Sequence, residues 1–198
     1  MNRTSAWLSR YFDQLSQVLN AAQATRGDGS SMSCPEAIDW AVHQLANTKE
    51  NDGKVMFVGN GGSAAIASHM AIDYSKNGQF SALAFNDGAS LTCLANDLGY
   101  DQVFAHPISM LGKPVDLLVA ISSSGQSQSI LNAVQAARSK AMTVLTLSGF
   151  EDNNPLRSIG NVNLYIPDSS YGFVEISHLA LCHAILDNAM GLAMEKAE

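Results

Sequence analysis

His69 and Asp73 lie four residues apart in a segment of helical pattern, which puts them on one face, about one turn from each other. An imidazole and a carboxylate so related can share a divalent cation, or can simply form a surface pair. Farther along, Glu175, His178 and His183 interrupt the apolar run VEISHLALCHAILDNAM. Polar groups on the buried side of a helix need partners, and a metal shared with His69 and Asp73 would supply them. Geometry limits the set. Glu175 and His183 are eight residues apart, roughly 12 Å along a straight helix. Either the helix begins after Glu175 and leaves it on a turn, or the two reach one ion from different chains. His43 and His106 have no comparable company and read as structural.

Two loops have the composition to hold a phosphate. The run KVMFVG ends in Gly59-Asn60-Gly61-Gly62-Ser63 and passes straight into a helical segment. Glycines let backbone N–H groups approach a ligand, and a helix N-terminus adds unpaired donors and partial positive charge. The same residues fit a dinucleotide fingerprint (Gly59, Gly61, Ala64), but that reading wants an acidic residue about 20 positions on. The nearest candidate, Asp87, comes 28 residues after Gly59. A structural glycine turn is the bland alternative. The second loop, Ser122-Ser123-Ser124-Gly125-Gln126-Ser127, follows VDLLVAI and again opens a helix. Its hydroxyls can donate to phosphate oxygens without any lysine or arginine, or Ser127 can be an ordinary N-cap.

The elements that must position these loops follow from periodicity. Five short apolar runs, KVMFVG, FSALAF, VDLLVAI, AMTVLTL and NVNLYI, alternate with helical segments over 62–76, 89–96, 100–111 and 127–139. Such alternation predicts a five-stranded parallel sheet with helices on both faces, a flavodoxin- or Rossmann-like three-layer α/β sandwich. Ligands bind such sheets at the C-terminal ends of the strands, where both loops fall. An amphipathic helix over 5–24 and a second helix over 35–48 precede it, separated by the loop RGDGSSMSCP, and a long helix over 171–195 closes it. Arg26-Gly27-Asp28 imitates an adhesion tripeptide but sits in a chain without export character. One domain spanning 1–198 is expected, with the first 50 residues packed on it or at an oligomer interface.

The chain has 198 residues, 11 Lys+Arg against 18 Asp+Glu, and a net charge of −7. The acidic balance leaves no electrostatic footprint for nucleic acid or an anionic membrane, so a bound phosphate must be held locally. Cys34, Cys93 and Cys182 are odd in number and widely spaced, which suggests neither a disulfide framework nor a cysteine zinc site. With no signal peptide or membrane span in the sequence, a cytoplasmic protein is expected.

Taken in order, Gly59 to Ser63, His69, Ala95-Asn96-Asp97, Ile121 to Ser127, then Glu175 and His183 resemble the sugar isomerase (SIS) domain, and specifically the phosphoheptose isomerases. The resemblance implies conversion of sedoheptulose 7-phosphate to D-glycero-D-manno-heptose 7-phosphate, the first committed step toward the heptose of lipopolysaccharide and other surface glycans. It implies a cytoplasmic homotetramer with sites between subunits and one zinc per subunit. It puts substrate contacts at Asn60, Gly61, Gly62, Asn96, Asp97, Ser122, Ser123, Ser124, Ser127 and Glu175, and metal ligands at His69, Asp73, Glu175 and His183. Asp73 stands where those enzymes carry glutamate, and Glu175 where they carry glutamine. The local patterns Asp73 to Asn77 and Val174-Glu175 resemble a branch linked to other surface heptoses. An aldose–ketose isomerisation through an enediol needs a carbon base and an oxygen acid, for which Asp73 and His183 are the candidates, with Glu175 the competing base. Two alternatives carry other consequences. A non-catalytic SIS protein of the replication-initiation type would bind the sugar phosphate and act through protein partners, and a SIS isomerase could instead act on a hexose or pentose phosphate.

Overall fold

The structure, a computed structural model, describes residues 3–191. Helix α1 (Arg3–Asn20) leads through β1 (Gln23–Arg26) and β2 (Ser31–Met32) to α2 (Cys34–Glu50). The alternating portion follows as β3 (Val55–Gly59), α3 (Gly62–Lys76), β4 (Ala82–Ala84), α4 (Gly88–Leu98), a 3-10 turn (Tyr100–Gln102), α5 (Ala105–Leu111), β5 (Leu117–Ser122) and α6 (Gln128–Ser139). It closes with β6 (Thr143–Ser148), α7 (Leu156–Ile159), β7 (Val162–Tyr165) and α8 (Tyr171–Ala189).

The strand order is β2-β1-β7-β6-β5-β3-β4 among the described residues. The five expected strands, β3 to β7, pair in parallel, and β3 and β5 are buried along their whole length, as strands covered on both faces must be. Their side chains alternate between two cores. Val55, Phe57, Val119, Ile121 and Leu164 face α2, α3 and α8, whereas Met56, Val58, Leu118 and Ala120 face Ile108, Ile130 and Val134 of α5 and α6. At the opposite end of the sheet from the two loops, Asp116 accepts from the main-chain N–H groups of Lys54 and Lys113 and pairs with Lys54 Nζ at 2.6 Å. That buried carboxylate ties the starts of β3 and β5 together.

Four boundaries differ from the sequence-based expectation. The first helix stops at Asn20 instead of reaching Ala24, because Gln23–Arg26 extends the sheet antiparallel to β7, with Gln23 opposite Tyr165 and Arg26 opposite Val162. The loop expected after it is a hairpin whose turn is Arg26-Gly27-Asp28, with Gly29 at φ +84°. Four residues are too few for periodicity to distinguish from a helix tail, and the unpaired edge of β7 supplies the backbone partners. The helix expected over 100–111 breaks at Val103-Phe104, both buried, since Pro107 fits the first turn of a helix but not its interior. The last helix ends at Ala189, with Gly191 at φ +69° beyond it, short of the expected Glu195; residues 192–198 lie outside the described ones.

Helix α1 rests on α8 through Tyr11, whose ring is 4.9 Å from that of Phe173. Val18 and Leu15 also turn into the core, whereas three large apolar side chains nearer its N-terminus point outward. Trp7 is 56% exposed, Phe12 57% and Leu8 43%. Among the described residues no helix is long and apolar enough to cross a membrane.

Candidate functional site

The ends of β3 and β5 open into a cavity of about 260 Å³ lined by Asn60 to Ser63, Ile121 to Ser124, Tyr171 and Glu175. The helices that begin around it leave their first N–H groups without side-chain caps. Gly61 starts α3 at φ +54° with no cap bond, Ser127 starts α6 with its hydroxyl used elsewhere, and Ser170 starts α8 uncapped. Elsewhere α2 has a complete capping box between Ser33 and Glu36 and Asp87 caps α4, while the short α5 and α7 also lack side-chain caps. Uncapped N-termini carry free donors and partial positive charge, so this wall of the cavity suits an anion without any basic side chain. The hydroxyl of Ser123 is buried and has no hydrogen-bond partner among the described residues. A buried donor left unpaid is costly, and an anion in the cavity would satisfy it.

The glycine and serine loops are joined by side chains. Asn60 donates from Nδ2 to Ser127 Oγ at 2.8 Å and to Ser129 Oγ at 2.9 Å. Tyr100 donates its phenol proton to Asn60 Oδ1 at 2.6 Å. Gly62 has a different reason to be glycine. A Cβ there would fall inside the van der Waals shell of the Glu175 carboxylate, which lies directly over the first residue of α3.

A second group of donors occupies the same two helices farther along. His69 and Asp73 of α3 and His183 of α8 bring their ligand atoms within 4.8 Å of one another. His69 Nε2 is 3.4 Å from Asp73 Oδ2, and the His69 and His183 rings are 5.4 Å apart. Two imidazoles and one carboxylate with a half-exposed member are the donor set of an open zinc site, three protein ligands and room for a fourth, so these residues fit such an ion.

Several expected site residues stand elsewhere. Glu175 is not in the His69, Asp73 and His183 group. Helix α8 runs unbroken from Tyr171, so the option of Glu175 on a flexible turn is removed, and it is separated from His183 by roughly 12 Å of helix. His178 turns from the metal group into the fold: its Nε2 donates to the carbonyl of Ser148 at 3.0 Å, and complete burial pushes its pKa down to about 4. Asn96 and Asp97 are exposed on α4, where Asn96 donates to Asp97, and neither lines the cavity. Asp87, the residue a dinucleotide site would need, accepts from the Ser90 main-chain N–H at 2.9 Å, a bond that lowers its pKa, and is spent as a helix cap. Tyr100, Ser129 and Tyr171 escaped the sequence reading. Tyr100 and Tyr171 are exposed aromatics, at 55% and 63%, and that exposure is visible only in the fold.

A three-layer α/β fold that presents a glycine loop and a serine loop to one cavity defines a class. The chain belongs to the SIS-domain family, whose model matches residues 10–149. It is 35% identical over 158 residues to a phosphoheptose isomerase of Helicobacter pylori, covering 77% of this chain and 82% of that one. Another from Chlorobium phaeovibrioides is 41% identical over 152 residues, covering 72% and 71%. The solved phosphoheptose isomerase of Neisseria gonorrhoeae superposes with a TM-score of 0.81 at 29% identity, covering 94% of this chain and 99% of that one. Within the SIS family the chain belongs with the phosphoheptose isomerases.

Proposed function

We propose that this protein is an aldose–ketose isomerase that interconverts sedoheptulose 7-phosphate and D-glycero-D-manno-heptose 7-phosphate, supplying heptose for surface glycans. The observation that carries this reading is the pairing on α3 and α8 of an anion cavity with a group of two imidazoles and a carboxylate. The cavity takes the phosphate through the Ser122 to Ser124 loop, Ser127 and the N–H groups at Gly61 and Gly62. Asp73 moves the carbon-bound proton between C1 and C2, and His183 moves the hydroxyl proton between O1 and O2. Glu175 is the competing carbon base. His69, Asp73 and His183 are the residues that would hold zinc, which when bound polarises the sugar carbonyl.

A fourth ligand from Glu175 would have to come from another copy of the chain, because one continuous helix carries both Glu175 and His183. That requirement and the outward apolar face of α1 support a homotetramer with sites between subunits. Asn96 and Asp97, exposed within one chain, are then contacts contributed at that boundary.

The test is metal content and light-scattering mass of the purified protein, with sedoheptulose 7-phosphate turnover measured before and after chelation. Stoichiometric zinc, a tetramer mass and chelator-sensitive turnover are expected. Sugar phosphate bound without metal or turnover would overturn the isomerase and leave a binding protein that acts through partners.

A further inference from the structure

An amide side chain has one acceptor oxygen and two N–H donors, so the three contacts of Asn60 use all of it except one lone pair. The 2.6 Å contact to Tyr100 is the length of an O–H···O bond, while the 2.8 and 2.9 Å contacts to Ser127 and Ser129 suit N–H donors. The orientation of Asn60 is thereby set, with its oxygen toward the phenol and both protons toward the serines.

Ser129 is 2% exposed and accepts from Asn60, and its own hydroxyl lies 3.3 Å from Ser127 Oγ. Buried Ser129 has no other acceptor among the described residues, so its proton goes to Ser127, and both lone pairs of Ser127 are then occupied, one by Asn60 and one by Ser129. Ser127 is half-buried, and its hydroxyl makes no cap bond to α6. The only proton that can leave the network leaves from Ser127.

We propose that Tyr100 is a positioning residue which, by fixing Asn60, makes Ser127 an obligate hydrogen-bond donor to the phosphate of the substrate. This rests on the sugar-phosphate reading above. Without the phenol, Asn60 is free to turn its oxygen to the serines, both hydroxyls then donate inward, and Ser127 presents lone pairs to the anion. Tyr100 stands just beyond α4, so the network also links the segment bearing Asn96 and Asp97 to the phosphate loop.

The experiment is calorimetric titration of the full-length, metal-loaded protein with inorganic phosphate, for wild type, Tyr100→Phe, Ser127→Ala and the double variant. Loss of one net hydrogen bond predicts phosphate binding about three- to tenfold weaker in Tyr100→Phe. The KM for sedoheptulose 7-phosphate should rise by the same factor with kcat within about twofold, the signature of lost uniform binding. Because Tyr100 acts through Ser127, the double variant should bind phosphate no more weakly than Ser127→Ala. Asn60→Asp offers acceptors only, draws both serines inward with Tyr100 intact, and should weaken phosphate at least tenfold. Wild-type affinity in Tyr100→Phe or in Asn60→Asp, or an undiminished effect of Tyr100→Phe in the Ser127→Ala background, overturns the proposal. A wild-type protein that binds neither phosphate nor the sugar phosphate overturns the underlying reading, an outcome distinct from equal binding by wild type and Tyr100→Phe.

Discussion

Replacing Gly62 by alanine separates the site from the fold in one methyl group. Gly62 is helical and outside the left-handed region, so the backbone accepts alanine without strain. Removing glycine's freedom from the unfolded chain stabilises by about 0.4–1 kcal/mol. The three atoms nearest the new Cβ all belong to the carboxylate end of Glu175, which must leave its rotamer at a cost of about 0.5–1.5 kcal/mol. The two nearly cancel, so Tm should move by no more than about 2–4 °C for a chain of this size. The carboxylate, however, is pushed about 1 Å or more from its place over the anion cavity, which costs roughly 100-fold in rate, or about 2.7 kcal/mol of barrier. Turnover of sedoheptulose 7-phosphate, differential scanning calorimetry and zinc content give the three readouts. Expected are near-normal melting, normal zinc and a loss of about two decades in kcat/KM. Wild-type turnover would show that the placement of Glu175 against Gly62 has no part in the chemistry, and a fall in Tm beyond about 10 °C would show that the close approach holds the fold together.

Asp73→Asn should retain a metal-competent oxygen while removing the proton acceptor, lowering kcat by about 10²–10⁴-fold in the turnover assay; full activity with metal retained would take Asp73 out of the acid/base role. The buried His178 gives stability a pH dependence. Its folded pKa, about 4, lies below the unfolded value of 6.5, so the unfolded state binds more protons in between. Stability is therefore fully present above about pH 6.5 and declines as pH falls toward 4, by about 3 kcal/mol. Urea unfolding at stepped pH should show that decline in the wild type and a flatter profile in His178→Asn.

Much of this protein can be read from residue order, and the exceptions have physical causes. The buried strands declare themselves because a sheet covered on both faces needs uninterrupted apolar runs, as in VMFVG and LLVAIS. The pairing of His69 with Asp73 is local, fixed by helical spacing, and was visible for that reason. His178 and His183 look alike in sequence, yet five residues on a helix turn one into the core against Ser148 and the other toward His69. Burial decides between them, and burial is a property of the assembled layers. The contact between Tyr100 and Asn60 spans 40 residues and has no periodic signature. Strand β1 stayed hidden because its partner, β7, is more than 130 residues away.

The sheet finishes at β2 on one side, with two residues, and at β4 on the other, with three. Among the described residues, margins this short offer few free main-chain amides to a strand from another molecule. The larger surface open to assembly is made of side chains, on outward helical faces such as that of Trp7 and Phe12. A substitution on such a face therefore reaches the proposed site between subunits without touching the parallel core beneath.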